Sequence, residues 1–237
     1  MRNYYNSQHH KYNNTNTKEI QEEKRKQRMF EKIINEIQSV SAISEKIVFR
    51  LVNTKMNESV LKERPHRKFL DLSIIYFLQI ENERDNFESL AITDQLIKMW
   101  NIEESELWEL ALKNMLELFP PQFTTLESIL MTKLYGSKKV DEEEDGLLYL
   151  SNTSNFYGAS CIFYPKVLEN IRRKIQNDYY IIPSSVHEVL ILLADSIGKE
   201  ELNQMIQEVN ATVVESREIL AEHCYKYDSK KNEIIIP

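Results

Sequence analysis

Four glycines and six prolines are all that this chain of 237 residues carries, and that scarcity is its tightest constraint. A sandwich or barrel built only of strands turns often and spends such residues on its turns. The composition suits a helix-rich chain instead. Hydrophobic residues make up 42% and aromatic residues 10%, enough for a sizeable core and too much for disorder over most of the length. The length admits one large domain or two small ones.

The charges narrow the function classes. A net charge of -7 arises from 37 acidic and 30 basic residues, and their interspersion makes an ordinary solubilising surface. A DNA mimic needs a larger field of one sign, and a nucleic-acid binder needs a basic face. Only scattered basic runs occur, Lys24-Arg25-Lys26, Arg172-Arg173-Lys174 and Lys230-Lys231, so nucleic acid is not the expected partner. No apolar run approaches the ~20 residues that span a bilayer, and the first residues lack the apolar stretch of a secretory signal. Cys161 and Cys224 are too few for a disulfide framework or a structural zinc site. A cytoplasmic protein without membrane contact is expected.

Residues 1–17 are polar and aperiodic and read as a disordered tail. Over 18–44, Phe30, Ile33, Ile34, Ile37 and Val40 recur at helical spacing, which predicts an amphipathic helix. Its stripe packs on the domain or docks a partner, with Phe30, Ile33, Ile34 and Ile37 as the docking residues. Residues 45–237 read as one domain, with the acidic loop 137–146 as its candidate internal boundary. Strands are expected over 46–53, 70–80, 89–93, 147–150, 160–164, 179–182 and 186–193. Residues 81–86 supply a turn, and 224–227 pair with 234–236 in a final hairpin. Helices are expected over 94–100, ended by Asn101 in a left-handed conformation, and along the stripe Leu107, Leu110, Ala111, Met115 and Leu118, stopped by Pro120-Pro121. Others run over 124–135, with a capping pair at Thr124 and Glu127, from Pro165, over 199–209 and over 215–222. Strand pairs outnumber strict βαβ units. The fold class is therefore α+β, with mixed, mostly antiparallel strands, packed helices and an N-terminal amphipathic helix.

Five segments in order bear a resemblance: Pro65-His66-Arg67-Lys68-Phe69-Leu70-Asp71; Met99-Trp100-Asn101-Ile102 with Leu107; Gly158-Ala159 with Tyr164-Pro165; Ile182-Pro183-Ser184-Ser185-Val186-His187-Glu188-Val189; and Val209-Asn210-Ala211-Thr212. Together they resemble DUF5688, a clostridial domain of unknown function, over roughly residues 46–228, with the N-terminal helix and tail outside it. The resemblance implies a fold and a bacterial host but no activity. Asn101 stands where the family usually has Gly, and Glu103 where it has a Ser or Thr helix cap.

The candidate sites each have a plain structural alternative. Ser185, His187 and Glu188 follow a strand, but on extended chain Ser185 and His187 point one way and Glu188 the other. No Gly-x-Ser-x-Gly elbow accompanies them, so turn capping after Pro183 is the expected role of the serines. Cys161, weighed with His187 or His66 as its base, sits in an apolar run where a buried thiol is ordinary. His66, Arg67 and Asp71 can bind an anion, since arginine offers bidentate contacts, or can serve surface bridges and caps. No metal-ligand spacing joins His66, His187, Glu188 and His223, and no phosphate loop exists, so neither metal nor cofactor is expected. The reading is a non-enzymatic protein-interaction or accessory protein of a bacterium or its mobile elements, in its sharpest form an inhibitor of a larger host or defence-system protein. The alternative is a hydrolase or anion-binding enzyme with a pocket of His66, Arg67, His187 and Glu188.

Overall fold

The computed structural model describes residues 37–81, 87–135 and 147–237. The expected tail 1–17, the helix up to residue 36 with Phe30, Ile33 and Ile34, most of the turn 81–86 and the acidic loop 137–146 lie outside the described residues. The chain divides into two units, Met1–Ser44 and Glu45–Pro237. In the first, a continuous helix to residue 44 is not what forms. Ile37 lies in a turn, Ser39 is extended at φ -137° and ψ 128°, and only Val40–Ile43 (α1) makes a helical turn.

The second unit runs β1 (Ile47–Asn53), α2 (Glu58–Leu61), β2 (His66–Phe69), β3 (Leu72–Glu81), β4 (Phe87–Ala91), α3 (Asp94–Trp100), α4 (Glu104–Leu118), β5 (Pro121–Thr125) and α5 (Leu126–Tyr135). It continues with β6 (Leu148–Asn152), a 3-10 helix over Gly158–Phe163, α6 (Val167–Ile175), β7 (Tyr179–Ile182), β8 (Val189–Leu193), α7 (Lys199–Thr212), β9 (Tyr225–Asp228) and β10 (Glu233–Ile235). Every strand pairing is antiparallel, which makes the fold α+β.

β3 is the spine of the first sheet. β1 lies along one edge from Leu72 to Leu78. The other edge is shared by β2, which pairs with Leu72 to Ile75, and β4, which pairs with Phe77 to Glu81. Residues opposed across a ladder share a face. Phe49, Arg67, Ile74 and Tyr76 therefore project from one face, and Arg50, His66, Ile75 and Phe77 from the other. The first face receives α4. Its stripe buries Leu107, Ala111 and Met115, each large apolar side chain contributing about 1.5–3 kcal/mol. Asn114 completes that stripe and donates to the Ile47 carbonyl at 2.8 Å, while Leu118 stays exposed.

The second sheet has the order β10-β9-β7-β8-β6-β5. α7 buries Leu202 and Ile206 against Tyr180 and Cys224 beside it. Asn101 closes α3 at φ 52° and ψ 47°, a conformation asparagine tolerates. Glu103 starts α4, and the Glu106 carboxylate accepts from its backbone N–H at 3.0 Å, so the departure from Ser or Thr is accommodated.

Several expectations need correction. Residues 158–163 form a 3-10 helix where a strand was expected over 160–164. Buried Asn152 bends the chain there, its side chain donating to the Phe156 carbonyl and accepting from the Ser154 and Phe156 amides. The expected helix 215–222 reduces to a single turn, Ser216–Glu218. The Glu218, Leu220 and Ala221 carbonyls accept instead from Val186 N–H, Asn53 and Asn210, so a helix ladder has lost its acceptors. α5 is capped by Thr125, whose hydroxyl accepts from Ser128 N–H at 3.1 Å, and not by Thr124 with Glu127. β2 and β5 are strands the pattern did not announce, and the strand expected over 186–193 begins only at Val189.

Candidate anion-binding site

Arg50 is a cation in the middle of β1, pointing to the face of the sheet away from α4. Its guanidinium carbon lies 4.4 Å from the centre of the Phe77 ring and 4.9 Å from that of Tyr157. Its Nη1 donates to the Tyr157 hydroxyl at 2.5 Å. Arg64 reaches the same Phe77 ring at 5.8 Å. Cation-aromatic contacts of this kind strengthen where water is excluded. Among the described residues neither guanidinium has a carboxylate in ion-pair range, and the buried Arg50 Nε has no hydrogen-bond partner. Desolvation, then the positive charge of Arg50, pulls the Arg64 pKa down against the weaker attraction of Glu63.

A constrained loop holds Tyr157 in place. Asn155 and Tyr157 both have positive φ, 54° and 56°. Gly158 lies so close to β6 that a Cβ there would meet the Ser151 hydroxyl, the His187 carbonyl and the Asn152 amide at 2.1, 2.5 and 2.8 Å. His187 then stacks on Tyr157, ring centres 5.7 Å apart and 11° from parallel. Its Nδ1 accepts from Tyr157 N–H at 3.2 Å, leaving the ring proton on Nε2, which faces Glu218 at 3.6 Å.

The residues singled out from sequence go to four places. His187 stacks on Tyr157, the ring that Arg50 also meets. Ser185 stitches its own turn, accepting from His187 N–H at 3.0 Å and donating to the Glu188 carboxylate at 2.8 Å. His66 shares a face with Arg50, the two flanking Ile75, while its Nδ1 lies 2.9 Å from the Arg64 carbonyl. Arg67 is drawn to the opposite face, forked onto Glu104 at 3.1 Å and over Trp108 at 4.8 Å, and fully buried Tyr76 donates to the same carboxylate. Burial pushes Glu104 up, but the bonds from Arg67 and Tyr76 outweigh it and leave its pKa lowered. Asp71 leaves the group altogether. At the tip of the β2–β3 hairpin it meets His223 Nε2 at 2.9 Å and accepts from Tyr225 at 2.7 Å. The structure does not bring Arg67 or Asp71 to His187.

Cys161 is buried, and burial pushes its thiol up to about 12. The described residues hold no cluster of three or more metal-ligating side chains and no helix long and apolar enough to cross a membrane. Arg50, Arg64 and Tyr157 were missed in the sequence. A lone arginine inside a β-branched strand was the available signal, since a buried strand rarely keeps a charge without a reason.

Fold and site together define a two-sheet antiparallel α+β protein with two arginines on one phenylalanine ring, neither in ion-pair range of a carboxylate among the described residues. A family model described as "Family of unknown function (DUF5688)" matches residues 1–229, and the chain belongs to that family. The match includes the N-terminal segment, which the five motifs alone had placed outside. No curated protein and no solved structure matches the chain.

Proposed function

We propose that the chain is a non-enzymatic protein-interaction protein that recognises an anionic group presented by its partner. The observation supporting this most is the Arg50–Arg64 pair, two guanidiniums on one phenylalanine ring, neither in ion-pair range of a carboxylate among the described residues. Like charges held together cost free energy that an arriving anion recovers. His187, stacked on Tyr157, is poorly placed for proton transfer. Its Nδ1 lone pair is occupied by Tyr157 N–H and its Nε2 faces Glu218, so a general base would first have to give up its own support.

The test is a peptide array graded from basic to acidic, probed with the full-length protein and with Arg64→Gln. Acidic peptides should be retained, release as salt rises, and bind the variant several-fold more weakly. Retention that ignores peptide charge, or that is unchanged in Arg64→Gln, would sink the proposal.

A further inference from the structure

We infer that Arg50, Arg64 and the Tyr157 hydroxyl form a binding site for a phosphate monoester, an inference that rests on the anion-recognition reading above. Charge is the first reason. The two guanidiniums face one another's field without an acidic partner in contact. A carboxylate brings one negative charge, whereas a phosphate monoester brings roughly 1.5–2 at neutral pH. The Glu218 carboxylate is already engaged by His187 at 3.6 Å and Arg217 at 3.9 Å.

Donor count is the second reason. Arg50 commits Nη1 to Tyr157, and because the Tyr157 oxygen accepts that bond, its own proton is available to donate outward. Arg64 makes no hydrogen bond through its guanidinium among the described residues. Two arginines and a phenol thus offer donors from different directions. That suits the three terminal oxygens of a phosphate ester better than the two coplanar oxygens of a carboxylate. A phosphodiester exposes two oxygens with one charge, so a nucleic-acid backbone is the poorer match. Geometry is the third. Arg50 is clamped between two rings, and Tyr157 is fixed by its loop and by His187, so little rotamer entropy is lost on binding.

The experiment is calorimetric titration of the full-length protein with phenyl phosphate, benzoate, inorganic phosphate, a phosphoserine peptide and a short oligothymidylate. Phenyl phosphate should bind at least about ten-fold tighter than benzoate, a difference of ~1.4 kcal/mol. Arg64→Gln, at a partly exposed side chain, should weaken it by about ten-fold. Tyr157→Phe should weaken it about three-fold, and Arg173→Gln should change nothing. Affinity should fall below pH ~6, where the ester dianion takes up a proton and becomes a monoanion. Benzoate binding as tightly as phenyl phosphate would overturn the phosphate inference and leave anion recognition standing. Binding of neither would overturn both. Oligothymidylate binding as tightly as phenyl phosphate would replace the monoester with a nucleic-acid backbone. Inorganic phosphate binding more tightly than the phosphoserine peptide would support the site while overturning a protein partner as its source.

Discussion

Replacing Gly158 with alanine tests how the arginine site is supported, because this glycine is where the 3-10 helix touches β6 and the His187 segment. A Cβ would stand 2.1 Å from the Ser151 hydroxyl, 2.5 Å from the His187 carbonyl and 2.8 Å from the Asn152 amide. Two of those atoms are backbone and cannot swing away. Overpacking of this kind costs about 1–3 kcal/mol. The intruding methyl also displaces the fully buried Ser151 hydroxyl from its 2.8 Å bond to the His187 carbonyl, adding about 1–3 kcal/mol. Alanine's better helix propensity returns at most ~1 kcal/mol. The net loss is about 1–5 kcal/mol, or roughly 2–20 °C in Tm for a chain of this size. Urea unfolding followed by circular dichroism measures it. Gly198→Ala is the control, since nothing lies within 4 Å of its added methyl, and it should change stability by less than ~1 kcal/mol. A Gly158→Ala protein within ~0.5 kcal/mol of wild type would refute this account of the joint.

Three further outcomes are expected. Glu104→Ala strands the Tyr76 hydroxyl and Arg67 and should cost about 2–4 kcal/mol in urea unfolding, with Tyr76→Phe adding little on top because it removes the stranded group. Glu104 and Asp178 both titrate below their ordinary values in the fold, Asp178 through the Ser229 hydroxyl and then Lys226. Their stabilising contributions are present above the unfolded-state values near pH ~4 and are lost as pH falls through the lower folded values. Glu104→Gln and Asp178→Asn should therefore lose stability less steeply on acidification than wild type, and equal slopes would count against both networks. Cys161 and Cys224 are buried with raised pKa values. A chromogenic disulfide reagent should find neither thiol in the native protein and both in denaturant; fast native labelling would contradict that burial.

The parts of the fold legible in the sequence are those whose signals are local. Asn101 after α3, the paired prolines after α4 and the polar turn between β9 and β10 act within a few residues; α3 and α4 end where the pattern indicated, and the hairpin strands lie within one residue of it. The misread parts are decided by distant partners. Ala159 to Tyr164 is a short apolar run, and periodicity alone does not separate a strand from a buried helical segment; the Asn152 side chain and the fit of Gly158 against Ser151 settle it. Residues 215–222 have helical composition, but Val186, Asn53 and Asn210 take the carbonyls a helix needs. The site divides along the same line. His187 drew notice as a titratable group, whereas Arg50 and Arg64 matter through a shared ring on β3 that no spacing along the chain reveals.

Arginine side-chain NMR tests the central claim most directly, because each Nε–H gives its own resonance. With phenyl phosphate added, the Arg50 and Arg64 signals should move together and saturate, while Arg67, already forked onto Glu104, stays in place. Shifts confined to exposed arginines such as Arg173 and Arg217, or no saturable shift at Arg50 and Arg64, would contradict an anion site on the Phe77 ring.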